Sequence, residues 1–278
     1  DFTEGSWLSW IKLRDGSDSH FLSDSTQKTG VCFDSLASDR TYGKQTGETT
    51  GINAVGTSSY SIQGGNAQVN GNTKKYTSWN FKAAPGFFDV VTYTGTGSAK
   101  TVSHSLGSVP GMIIVKVLSG GTDDWFVYHR SLGDQRIKLN STNASGSTAV
   151  WNYTAPTSSV FSVGTDGGVN GSGRTYVAYI FAHDDAQFGT NEDESIIKCG
   201  SYTGSSSNSY SQEINVGFEP QWLMVKANGS GSWNVVDTMR GFEGQGASSP
   251  PDSRSLLFNS NSNEDDIISL GNGAKIKV

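Results

Sequence analysis

Acidic residues cluster at three places in this 278-residue chain: Asp123-Asp124, Glu192-Asp193-Glu194 and Glu264-Asp265-Asp266. Calcium takes several oxygen ligands from flexible loops, so each cluster is a candidate, but none has the spaced Asp pattern of a helix-loop-helix calcium loop. They read as solubilising charge. Paired carboxylates also cleave glycosidic bonds when held close together, which spacing along a chain does not establish. The histidines His20, His104, His129 and His183 are scattered. His183-Asp184-Asp185 places three ligating types in a row, yet adjacent residues of an extended chain point apart. No Gly-x-Ser-x-Gly elbow, phosphate-binding loop, dinucleotide fingerprint or His-Glu-x-x-His occurs. The expectation is a non-enzymatic chain with no metal and no cofactor.

The elements that would position such residues are written more than once. "VNGNTKKYTSWNFKA" at 69–83 returns as "VNGSGRTYVAYIFA" at 169–182. Tyr93-Thr94-Gly95 matches Tyr202-Thr203-Gly204, Pro110 matches Pro220 and Lys116 matches Lys226. Trp125 then pairs with Trp233, Arg130 with Arg240, and Asn140 with Asn259. A first, partial copy matches through Ile11-Lys12, with His20 to Asp24 standing where Trp125 to His129 stand. The expected division is a partial repeat over 1–84, a complete one over 85–190 and a third without its closing strands over 191–278.

Each copy reads as short strands. "GMIIVKV" and "QWLMVKA" are compact apolar runs, and "WFVYHR" alternates. Asn-Gly at 70–71 and 170–171 signals a hairpin turn. In the strand after it, Thr77/Val177, Trp79/Tyr179 and Phe81/Phe181 share one bulky face, which is the expected core face. Trp125 and Trp233 join that core as repeat-defining positions. "FKAAPGFFD" (81–89) and "FAHDDAQFGTNEDES" (181–195) read as linkers. A first copy without its opening strand and a third without its closing ones suggest a truncated sequence, or else free sheet edges that a neighbour could pair.

Seven tryptophans and ten tyrosines also invite a sugar-binding reading, in which rings stack on apolar sugar faces. Trp151 lies in the loop-like "STAVWNYTAPT" and has no counterpart in the third copy, so Trp151, Asn152 and Tyr153 are the expected glycan contacts. The Asn-x-Ser/Thr patterns at Asn140, Asn143, Asn152, Asn170 and Asn228 are expected from composition alone.

Composition narrows the class. Only 34% of residues are hydrophobic and 35 are glycine, which suits turn-rich β structure rather than long helices. A net charge of −6 with no basic patch argues against nucleic acid as a partner. No run approaches the ~18 apolar residues of a membrane-spanning helix. Cys32 and Cys199 read as ordinary buried thiols.

The order of these elements resembles repeat domains of tailed-phage virion proteins, of the tail-fibre type found in marine phages including those of cyanobacteria. The carriers are Tyr-Thr-Gly, "LGSVPGMIIVK" or "VGFEPQWLMVK", a Trp strand ending near Arg, an Asn-Ser strand, and "VNGSGRTYVAYIFA". The match covers the second and third copies well and the first in part, since Ser78 and Asn80 stand there for Ala178 and Ile180. The resemblance implies tandem antiparallel β-sandwich modules, jelly-roll or lectin-like, in a virion appendage with structural or adsorption roles. Its implied partners are copies of itself or other virion proteins, and a cell-surface glycan. It brings no catalytic residues.

Overall fold

The computed structural model describes residues 2–147, 149–183, 186–204, 212–240, 254–264 and 274–277. The fold is all-β. Residues 1–84 supply β1 (Trp7–Leu13), β2 (Phe21–Asp24), β3 (Gly51–Val55), β4 (Tyr60–Gln63), the one-turn helix α1 (Ala67–Asn70) and β5 (Tyr76–Lys82). Residues 85–190 supply β6 (Phe88–Thr94), β7 (Lys100–Ser103), β8 (Met112–Ser119), β9 (Phe126–His129), β10 (Gln135–Lys138), β11 (Gly146–Ser147), β12 (Val160–Val163), α2 (Gly167–Asn170) and β13 (Thr175–Phe181). The remaining stretch supplies β14 (Gln212–Asn215), β15 (Trp222–Val225), β16 (Asn234–Asp237), β17 (Leu256–Leu257) and β18 (Ala274–Lys277).

Three antiparallel sheets correspond: β2-β1-β5, β11-β10-β9-β8-β13-β6 and β15-β16-β17. Their registers agree. Leu8 faces Asp24, Met112 faces His129 and Trp222 faces Asp237. On the other side, Trp10 faces Trp79 as Ile114 faces Tyr179. Smaller two-stranded layers, β3-β4 and β7-β12, flank the first and second sheets.

This layering explains why β1 and β8 are buried along nearly their whole length rather than alternately. Both faces of each sheet are covered, so both sets of side chains lose water. Inward from β8, Met112, Ile114 and Leu118 join a central cluster. Outward, Ile113, Val115 and Val117 pack with Phe161 and Val163 beneath β12. The first sheet repeats the scheme, with Leu8 and Trp10 inward and Trp7 and Ile11 outward beside Ile52 of β3.

The central cluster belongs to all three stretches. Trp10 and Trp79 come from the first, Trp125 and Tyr179 from the second, Trp233 and Phe258 from the third. The stretch 81–89, which reads as a linker, is corrected by this packing: Phe88 is buried and Phe81 and Phe87 rest on the same cluster. Burying three phenylalanines outweighs solvating a short connector, at roughly 1.5–3 kcal/mol per side chain. Ala178 and Ile180 of β13, assigned by sequence to a variable outer face, fill the second cluster.

Backbone hydrogen bonds close the three stretches into a ring. Lys44 N–H donates to the Leu118 carbonyl at 3.0 Å, Ser145 N–H to Asn228 at 2.8 Å, and Glu264 N–H to Arg14 at 2.9 Å. The first bond runs from the first stretch to the second, the next from second to third, and the last from third back to first. Arg14, Leu118 and Asn228 each stand two residues past the repeated lysine of their strand, Lys12, Lys116 or Lys226.

Candidate functional site

The repeated Val-Asn-Gly phrase builds a hook rather than a hairpin turn. Gly71 and Gly171 have φ of −68° and −60°, so the positive-φ turn expected at Asn-Gly is absent from both. Each phrase ends a helical turn capped by Asn66 or Asp166. The Tyr76 hydroxyl accepts from Gly71 N–H at 2.7 Å and donates to the Ala67 carbonyl at 2.6 Å. The Tyr176 hydroxyl does the same with Gly171 and Gly167, at 2.7 and 2.6 Å. Glycine is required because a Cβ there would lie 3.0 Å or 3.1 Å from the tyrosine oxygen. The phrase thus anchors the closing strand.

The seams between stretches use corresponding positions with changing side chains. Trp125 Nε1–H donates to the Ala37 carbonyl at 3.0 Å, and Trp233 Nε1–H to the Lys138 carbonyl at 2.9 Å. In the first stretch His20 takes the tryptophan's place, with Nε2 at 3.0 Å from the Leu257 carbonyl. His20 Nδ1 accepts from Trp10 Nε1–H at 2.9 Å, so the proton sits on Nε2 and the ring is neutral. Burial, aided by Lys12, pushes its pKa down to about 3.

A second seam set crosses the other way along each sheet. Tyr179 donates to Asp24 Oδ2 at 2.7 Å, joining second stretch to first. Trp79 Nε1–H donates to Asp237 Oδ2 at 2.8 Å, joining first to third. Burial raises the Asp24 pKa despite hydrogen bonds from Thr26 and Tyr179. The third position of this set, facing Met112 as Asp24 faces Leu8, is His129.

Two buried lysines cap the inner faces. Lys116 Nζ donates to the carbonyls of Thr41 (2.7 Å) and Asp123 (2.5 Å), and Lys12 Nζ to Leu13 (2.7 Å) and Asn261 (3.4 Å). Desolvation pulls both pKa values down to about 8. At the first-to-third seam Glu264 accepts from Arg14 (2.9 Å) and from Arg240 (3.3 Å), while Arg240 also pairs with Asp237 at 2.8 Å. These charges are inside and mutually paired.

The surface offers two other features. A polar groove of about 420 Å³ opens between Gln27 and Lys44 on one wall and Thr92, Thr94, Ser119 and Thr175 on the other. Lys44 already bonds Gln27 Oε1 at 2.7 Å and Asp34 Oδ2 at 2.9 Å, so the wall is nearly neutral and suits hydroxyl ligands. Elsewhere, Asn152 and Tyr153 both sit in the left-handed region, at φ 52° and 50°, and Tyr153 is 69% exposed.

The expected glycan triad is thereby split. Trp151 is 2% exposed, packed edge-on against Tyr128 in the second cluster, and is corrected from surface contact to core. A three-residue 3-10 turn over Ala149–Trp151 folds it inward, a local geometry that "STAVWNYTAPT" does not signal. Asn152 and Tyr153 remain outside. Trp79, Tyr179, Phe181, Trp125 and Trp233 lie in the central cluster with Phe81 against it.

Asp123 and Asp124 are taken up by ion pairs with Arg174 and Lys138. His183 Nδ1 accepts from Cys199 N–H at 3.0 Å, while Asp184, Asp185, Asp265 and Asp266 lie outside the described residues. Among the described residues no three His, Cys, Asp or Glu side chains gather to hold a metal, and no helix is long and apolar enough to cross a membrane. Cys32 and Cys199 are free, the first buried and the second half-buried. Sequence reasoning missed the seam residues His20, Asp24, Asp237 and Glu264. Their only signal was position relative to the repeat, since their side chains differ from copy to copy.

The chain is thus an all-β protein whose repeated strands surround one core. It belongs to the family described as Domain of unknown function (DUF7483), which matches residues 5–278. No curated protein and no solved structure matches it.

Proposed function

We propose that the chain is a structural module of a phage-like virion appendage, a tail fibre or capsid-surface fibre, built from copies of one β-sandwich unit fused around a common core. The observation that carries this reading is the closed set of Lys44–Leu118, Ser145–Asn228 and Glu264–Arg14 backbone bonds. It makes the three stretches one rigid block, the mechanical property an appendage needs. The repeated residues are spent on hooks and seams, as a load-bearing part requires, and the phage-repeat resemblance supplies the setting. The test is immunogold labelling of purified particles with antibody against this chain. Discrete labelling of a fibre supports the reading; particles that lack the chain overturn it.

A second reading, glycan contact during adsorption, is favoured by the exposed Tyr153 ring and by the hydroxyl-lined groove. Tyr153→Ala abolishing cell-surface glycan binding would support it, and a wild-type chain that binds no glycan would remove it.

A further inference from the structure

The sheets differ in one respect. β1 carries β5 on its outer edge and β8 carries β13, but among the described residues β15 pairs only with β16, leaving its other edge bare. The four residues of β15 are half-buried, whereas those of β8 are almost all buried. Trp222 and Met224 face the central cluster from this edge. Trp222 Nε1 is shielded from water and meets no acceptor among the described residues.

The seam set that uses Asp24 and Asp237 is open at the same place. The central aromatic of β13 (Tyr179) reaches Asp24, and that of β5 (Trp79) reaches Asp237. The equivalent residue of a strand on β15 would stand opposite Met224 and reach His129. His129 Nδ1 accepts from Ser131 N–H at 3.2 Å, so the neutral ring carries its proton on Nε2, which meets no partner among the described residues. Burial, with Arg130 nearby, keeps that ring neutral by lowering its pKa.

We infer that the β15 edge is a docking slot for an extended strand donated by another polypeptide, with the alternating pattern of β13. A bulky residue would sit opposite Trp222 and a tyrosine opposite Met224, with backbone hydrogen bonds along the edge supplying affinity. Tyrosine is selected over tryptophan at the central position, because the His129 Nε2–H requires an acceptor and indole has none. The internal β8-β13 ladder, with Phe181 opposite Met112 and Tyr179 opposite Ile114, is the template for the register. The inference stands apart from the virion reading and holds in any setting where a partner chain presents such a strand.

The test adds a synthetic peptide with the sequence of residues 173–183 to the whole chain and follows binding by titration calorimetry. Saturable one-to-one binding is expected, weakened about tenfold when the peptide tyrosine matching Tyr179 becomes phenylalanine, the worth of one hydrogen bond. His129→Ala should erase that difference. Two peptides N-methylated on alternate amides give a readout needing no protein variant: the pattern facing β15 abolishes binding and the other does not. Absence of binding, equal effects of both patterns, or chain dimerisation through β15 that excludes the peptide would each overturn the inference.

Discussion

His20 and Leu257 join the first and last stretches of the chain: the histidine Nε2–H donates to the leucine carbonyl at 3.0 Å, where Trp125 and Trp233 make the corresponding bonds elsewhere. Because His20 is wholly buried and neutral, this seam is sensitive to acid. Its folded pKa, about 3, lies below the unfolded value of 6.5. Between those values the unfolded chain binds the extra proton, so stability is full above pH 6.5 and falls as pH drops toward 3. The loss from this residue is on the order of 5 kcal/mol when complete. Urea unfolding at pH 7 and pH 4 should show a large fall for the wild type, and a clearly smaller one for His20→Gln, which keeps a donor but cannot titrate.

The tyrosine hooks give a paired comparison. Tyr176→Phe leaves Gly171 N–H and the Gly167 carbonyl without their partner, at a cost of about 1–3 kcal/mol. Tyr76→Phe removes the same bonds, but Tyr76 is half-buried while Tyr176 is fully buried, so water replaces more of the loss. Chemical unfolding midpoints should therefore fall for both variants, and further for Tyr176→Phe.

At the first-to-third seam, Glu264→Gln removes the carboxylate shared by Arg14 and Arg240. Arg240 would remain buried against Asp237 alone. Breaking a buried pair on one side costs about 3 kcal/mol or more. Thermal melting should show that loss with little dependence on salt, because the pair is shielded from solvent.

Trp151 and Tyr153, neighbours but for one residue, should separate fold from surface. Trp151→Ala empties part of the second cluster and costs about 3–5 kcal/mol. Tyr153→Ala changes an exposed side chain and should leave the unfolding midpoint within about 0.5 kcal/mol. A glycan array run on the Tyr153 variant then reports binding without a folding artefact.

The repeated strands were legible because their inner side chains are large and apolar and recur in register. Trp79, Tyr179 and Phe181 declare a buried face by type and period alone. The closure of the ring was not legible. Its bonds run through backbone carbonyls, which carry no sequence signal, and through positions where Asp24, His129 and Asp237 differ in kind while sharing a place. Asn-Gly misled for a related reason. Its glycine is present to admit the Tyr176 hydroxyl rather than to supply positive φ. Trp151 misled because a short turn, not strand alternation, directs its ring.

Amide hydrogen exchange at Lys44, Ser145 and Glu264 tests the closed ring most directly. These three N–H groups make the corresponding bonds from one stretch to the next. In a closed ring all three exchange slowly, with similar protection, and lose it together under mild denaturant. Rapid exchange at Glu264 beside protected Lys44 and Ser145 would show that the third stretch does not return to the first, and would contradict the architecture described.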